Sequence, residues 1–300
     1  MTLVFISPPS PDPGPIEKSR RNKILDIAGE GSPLMQAAFL RAIAETRGRI
    51  VLAEVTRALE RADLAAAWAA IPWTDVGESI LLDALPSRYR DIYEAAARQA
   101  AAELAGVLGT AVRFDLLNPR AVDWIRQNAA SQIRQFGAAT ERGIRALILR
   151  AFEDGIPPAR LARMIRDTGI GLLGRQVRAV ENARARLEES GELTAAKIDA
   201  RMERLSRRYL HQRTEMIART ESLRASNEGQ RELWREAAEQ GLLGPGTTME
   251  WVATLDDRVD PVCEALDGVT VLLGSLFPGG FAGPPDPHPD CRCTLVIHPR

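Results

Sequence analysis

The sequence predicts an α+β protein: a mainly helical body with long helices, followed by a small loop-rich, β-containing C-terminal module. Two observations carry this. From residue 34 to about 241, apolar residues recur at three- and four-residue spacings in an Ala- and Arg-heavy chain with only 5% aromatic residues, and Ala and Arg are both strong helix formers. After residue 246 the pattern turns into short alternating runs between Gly- and Pro-rich loops. At 300 residues the chain has room for one large domain or two modest ones.

The elements follow in order. Residues 1–33 read as a Pro-rich flexible arm, because prolines at 8, 9, 11, 13, 15 and 33 fix φ and remove backbone donors. Residues 34–193 read as the helical body. Within it, 34–61 carries Leu34, Phe39, Ile43, Ile50, Val55 and Leu59 at helical spacing. A second helix at 87–108 carries Tyr89, Ile92, Tyr93, Leu104 and Val107 and stops at Gly109. Asn118-Pro119 caps a helix running to about 153, with Val122, Ile125, Phe136 and Leu147 directed inward. The run Gly155-Ile-Pro-Pro158 breaks it, and helices over 158–168 and 171–188 follow, with stops at Gly169 and Gly191.

Residues 194–300 read as the last segment. A long helix over about 194–240 ends at Gly241 and Gly244-Pro245-Gly246. Candidate strands then lie at Met249–Thr254, Val269–Leu273 and Thr294–Ile297.

Charge and cysteine usage narrow the function. The 39 Lys and Arg residues against 40 Asp and Glu give a net charge of −1, which argues against a protein that coats polyanions. No window of about 18 residues is continuously apolar, so no membrane span is expected. The apolar start Met1–Ile6 lacks a basic flank and runs into prolines, so a signal peptide is not expected either. Three cysteines, at 263, 291 and 293, make an odd count that argues against a disulfide framework.

Polar chemistry gathers late in the chain. On the long helix stand Arg219, Thr220, Glu221, Asn227 and Gly229. Arg219 and Asn227 are separated by roughly 80° of rotation and share a broad face, while Glu221 and Arg224 form an i,i+3 pair. These residues fit either an ordinary solvated face or a half-buried polar network. Further on come Trp251, Thr254, Asp256, Asp257 and Arg258, then Asp267-Gly268 before the second strand, which reads as turn chemistry.

Cys263, His288, Cys291 and Cys293 are ligand types suited to Zn²⁺, with Asp260 as an alternative oxygen ligand. The C-x-C spacing also fits packed free thiols, or a disulfide from Cys263 to Cys291 or Cys293. As a nucleophile a cysteine would need His288 or His298 as its base, and an Asp256/Asp257 pair could hold Mg²⁺ for hydrolysis. Adjacent aspartates in a strand point to opposite faces, and no phosphate loop or nucleophile elbow accompanies them. Arg201, Arg204 and Arg208 fall along one helix face as a candidate phosphate-tracking stripe, diluted by Glu203 and Glu215.

Five motifs in order carry a resemblance: Ala218-Arg-Thr-Glu221 with Asn227 and Gly229; Trp251-Val-Ala-Thr254; Asp257-Arg258; Cys263-Glu-Ala-Leu-Asp-Gly268; and Pro284-Pro-Asp-Pro-His-Pro-Asp-Cys-Arg-Cys293. Over about 205–297 the chain resembles the phage head-morphogenesis proteins, the Mu protein F-like minor capsid family. The resemblance implies a noncatalytic assembly protein with portal, capsid and scaffold proteins as partners. It would act in the host cytoplasm during assembly and be carried in the virion head near the portal. It marks Arg219, Thr220, Glu221, Asn227, Trp251, Thr254, Asp257, Arg258, Cys263, Asp267, Gly268, His288, Pro289, Cys291 and Cys293 as motif positions. Many relatives have a cysteine where this chain has Asp260. A DNA-contacting packaging or ejection protein and a metal-dependent hydrolase stand as the alternatives.

Overall fold

A computed structural model describes residues 15–115 and 117–300, with side chains described from residue 23 onward. Helix α1 spans Pro15–Gly48. Here the structure corrects the expected arm, since residues 15–33 are helical. Pro15 occupies the first helical position, where a missing N–H costs nothing, and Pro33 is tolerated inside the helix. Prolines 8, 9, 11 and 13 lie outside the described residues.

The run read as one helix over 34–61 is interrupted at residues 49–51, and α2 then covers Leu52–Glu60. Helix α3, Leu64–Ala69, starts at an Asp63 cap whose side chain accepts from the Ala66 N–H at 2.9 Å. A π-turn at Trp73–Glu78 leads into α4, Ser79–Leu108, which starts earlier than expected and carries Pro86. Helix α5, Pro119–Glu153, opens as its sequence requires: the Asn118 side chain accepts from the Arg120 N–H at 3.0 Å. Helix α6 (Pro158–Met164), a π-turn (Ile165–Gly169) and α7 (Gly174–Ser190) follow. Gly191 ends α7 in the left-handed region at φ 65°. Helix α8 runs over Ala195–Glu239.

Strands β1 (Thr248–Val252), β2 (Thr270–Leu272) and β3 (Thr294–His298) form an antiparallel sheet of order β2-β1-β3. Met249 pairs with Val271 on one side and Ile297 on the other. The sequence missed a short helix, α9 (Pro261–Leu266), whose Asp260-Pro261 start is a capping aspartate followed by proline. Val122, expected to face inward, is exposed, as are Leu34 and Val107 of the apolar pattern.

The chain divides into two compact units, each built from separate stretches. One gathers the N-terminal stretch ending at Met35 with Pro86–Arg126 and Met216–Arg300; the other gathers Gln36–Leu85 and Gln127–Glu215. The first has a core in which Ala97, Ala101 and Leu104 of α4 and Leu223, Leu233 and Trp234 of α8 join the sheet residues Met249, Trp251 and Leu295. Trp251 meets Phe277 edge-on, centroids 5.2 Å apart. Gly229 permits the close approach of α8 to α4, because a Cβ there would sit 3.0 Å from the Tyr93 carbonyl carbon and closer still to its oxygen. In the second unit Phe136 packs on Phe39 and Trp73 and lies under the Arg213 guanidinium, 4.1 Å from the ring centroid. Among the described residues no helix is long and apolar enough to cross a membrane.

Candidate functional site

The late polar residues of α8 form a fastening between this helix and the loop that leads into β3. Glu221 is buried and accepts a hydrogen bond from the Tyr89 hydroxyl at 2.8 Å. Arg224 lies 3.4 Å from the same carboxylate oxygen and donates to Asp286 at 2.8 Å. The other Asp286 oxygen accepts from the Ala282 N–H at 3.0 Å, so the loop is held at both ends of this chain of contacts. Burial pushes the Glu221 pKa up, and Arg224 and Tyr89 pull it partly back.

Next to Glu221, the Thr220 hydroxyl donates to the Met216 carbonyl and accepts from the Asp290 N–H at 2.9 Å. Arg219, exposed, pairs with Asp290 at 3.1 Å. One turn after Arg224, Asn227 is 1% exposed and ties α8 to the start of β3. Its amide oxygen accepts from the Thr294 hydroxyl at 3.0 Å and from Gln230 at 2.9 Å, while its NH₂ donates to the Leu223 and Cys293 carbonyls. The helix face is therefore a half-buried network, not a solvated one.

Other motif residues serve the same end. Thr254 donates to the Arg292 carbonyl at 2.6 Å, and Asp267 accepts from the Ala253 N–H at 2.7 Å, fixing the turn before β2. Trp251 is fully buried. Gly268 takes φ 73°, a region other residues enter at a cost. Asp256 forms a two-pronged pair with Arg292, which holds its carboxyl well below the usual range. With Asp256 so engaged and Asp257 and Arg258 exposed on the turn, no third ligand joins the aspartate pair among the described residues.

The thiols come together at the far side of this loop. Cys263 on α9, His288 and Cys291 place one ligand atom each within 4.8 Å of one another. The Cys263 Sγ lies 3.0 Å from His288 Nε2 and 3.7 Å from Cys291 Sγ. All three cysteines are free and buried, which corrects the disulfide alternative. Cys293 falls outside the mutual 4.8 Å group but lines the same cleft as Cys263 and His288. Hydrogen bonding from Cys291 draws the Cys293 pKa down to about 6, whereas burial pushes Cys263 up to about 12. Hydrogen bonding to Cys293, with burial, pushes Cys291 upward as well.

A nucleophilic cysteine wants an accessible thiolate beside its base. The cysteine that touches His288 is Cys263, which is 2% exposed and raised in pKa, so the arrangement does not present one. His298 instead pairs with Glu250 at 2.6 Å. Asp260, the alternative oxygen ligand, caps α9 by accepting from the Val262 N–H at 2.9 Å. Arg201, Arg204 and Arg208 are exposed on α8, and Glu203 beside them pairs with Arg207 at 3.4 Å.

Sequence reasoning missed Tyr89, Asp286, Gln230 and Thr294 as members of the network. Tyr89 stands 132 residues from Glu221, and no local pattern announces that contact. Compared with known proteins, residues 142–296, just over half of the chain, match a family model described as Phage Mu protein F like protein. Neither the curated proteins nor the solved structures yield a match.

Proposed function

The chain belongs to the Phage Mu protein F like family and is a phage head-morphogenesis protein; from this premise we propose that it is a noncatalytic adaptor acting at the portal vertex. Its partners in this role are the portal protein and the capsid or scaffold proteins. It meets them in the host cytoplasm during assembly and is carried into the virion head.

The observation that supports this is how the motif residues are used. Glu221, Thr220, Asn227, Thr254 and Asp267 spend their polar atoms on Tyr89, Asp290, Thr294, Arg292 and Ala253, inside the fold. A hydrolase would leave some of these groups converging on an open cleft to meet a substrate. Buried or half-buried and hydrogen-bonded within the fold, they stiffen a platform instead. Rigidity of this kind favours recognition by a ring of identical subunits, where many modest contacts multiply.

Co-sedimentation with purified portal rings and with procapsid shells tests the proposal. Stoichiometric association with portal rings is expected. A monomer that ignores both assemblies overturns the adaptor role. A second reading, DNA contact during packaging or ejection, draws on the exposure of Arg201, Arg204 and Arg208. Its mark is duplex binding that weakens steeply with added salt, and salt-independent binding excludes the stripe.

A further inference from the structure

We propose that Cys263, His288, Cys291 and Cys293 form a closed structural site for one tetrahedral, thiophilic divalent ion of the zinc type. The proposal does not depend on the assembly role, because metal loading is measured on the isolated chain.

The spacing of donor atoms comes first. With Zn–S of about 2.3 Å and Zn–N of about 2.0 Å, the edges of a tetrahedral site are roughly 3.5–3.8 Å. The Cys263–Cys291 separation of 3.7 Å matches such an edge, and the 3.0 Å between Cys263 Sγ and His288 Nε2 opens to it with a small movement. The second observation concerns the histidine itself. Its Nδ1 lies 2.8 Å from the Pro289 carbonyl oxygen, an acceptor only, so Nδ1 carries the proton. Nε2 then faces the thiols with a free lone pair. A ligating histidine is oriented by this same device, its second nitrogen donating to a carbonyl.

Donor chemistry selects the ion. Three sulfurs and one imidazole, with no free carboxylate, disfavour Mg²⁺ and Ca²⁺ and suit zinc. Asp260 is excluded as a ligand because its carboxylate is engaged at the start of α9. Cys293 supplies the fourth position. It follows Cys291 by two residues and lines the same cleft as Cys263 and His288, so it has to close toward the other three donors. Thr254, Arg258, Asp260, Cys263, His288 and Cys293 line one narrow cleft, through which the ion reaches the site. Bound there, it clasps α9 to the loop before β3.

Metal content of the full chain, purified under reducing conditions, tests this by native mass spectrometry, with Co²⁺ uptake as the second measurement. One zinc per chain is expected, together with a cobalt form showing thiolate charge-transfer and tetrahedral d–d absorption. Cys263→Ser, Cys291→Ser, Cys293→Ser and His288→Ala each lose the stoichiometric ion, while Asp260→Asn keeps it. Should the serine variants fail to fold, chelation of the wild-type chain decides: its melting temperature drops on removal of the ion and recovers on zinc addition. A chain that has three titratable thiols and takes up neither metal overturns the proposal, as does a disulfide between two of these cysteines. Undiminished binding in Cys293→Ser overturns the assignment of the fourth ligand, and loss of the ion from Asp260→Asn overturns the ligand set.

Discussion

Replacing Gly229 by Ala tests whether α8 and α4 are held at a distance that only a hydrogen side chain permits. The added Cβ would lie 3.0 Å from the Tyr93 carbonyl carbon and 3.1 Å from its Cα. Carbon atoms in ordinary contact stand about 3.5–4.0 Å apart. The obstruction is backbone, which cannot swing aside as a side chain can. The helices therefore have to separate by roughly half an ångström or more, through a core where Ala97, Ala101, Leu223 and Leu233 interlock. Overpacking of this kind costs typically 1–3 kcal/mol, and the backbone obstruction places Gly229 toward the upper end. Against it stands the gain of about 1 kcal/mol from replacing Gly by Ala inside a helix. The net expectation is a loss of about 1–2 kcal/mol, read from the midpoint of chemical denaturation with an unchanged slope. Gly29 provides the control: it lies within α1 with nothing within 4 Å of its hypothetical Cβ, so Gly29→Ala should gain up to about 1 kcal/mol. A Gly229→Ala chain as stable as the wild type would refute the close-approach argument.

Two further expectations concern the polar network. Asn227→Ala takes the acceptor from the buried Thr294 hydroxyl and leaves the Gln230 amide N–H only the Thr294 oxygen to donate to, and should cost about 1–3 kcal/mol in the same assay, whereas a loss under about 0.5 kcal/mol would mean water replaces the amide. Because the Glu221 pKa is raised on folding, the folded chain binds the extra proton. The associated stability is fully present below the unfolded value of about 4.3 and is lost as pH rises through the folded one. Glu221→Gln should flatten the decline of stability with pH just above that value, and an unchanged pH profile would show that Glu221 titrates alike in the folded and the unfolded chain.

Much of the architecture is written in local signals. Gly109, Gly155 and Gly191 each adopt φ of 65–66° where a helix was expected to stop, and Asn118-Pro119 starts α5 as that dipeptide prescribes. Local signals also misled. Proline density argued for an arm through residue 33, yet the helix accommodates Pro15 at its start and Pro33 within it. Asp260-Pro261 carries the signature of a helix start, but its nearness to Cys263 drew attention to ligand chemistry instead. The composition of the site was legible because Cys and His are few. Its connections were not: Tyr89 with Glu221 and Asp256 with Arg292 join residues 132 and 36 positions apart. Only the folded chain determines such pairs, and they decide that the α8 face is a buried network.

The interleaving of the two units bears on how the chain is made. Residues 216–300 complete the unit that residues 15–35 begin, so that unit cannot close on a ribosome until translation has passed β3. Contacts between such distant segments slow the search for the native state, since loop entropy is lost before they reward it. A nonsense codon or protease cut between 193 and 194 would release no self-sufficient half: one unit would lack its 194–215 stretch and the other its entire sheet. Exchange of one half by recombination between genomes would face the same barrier.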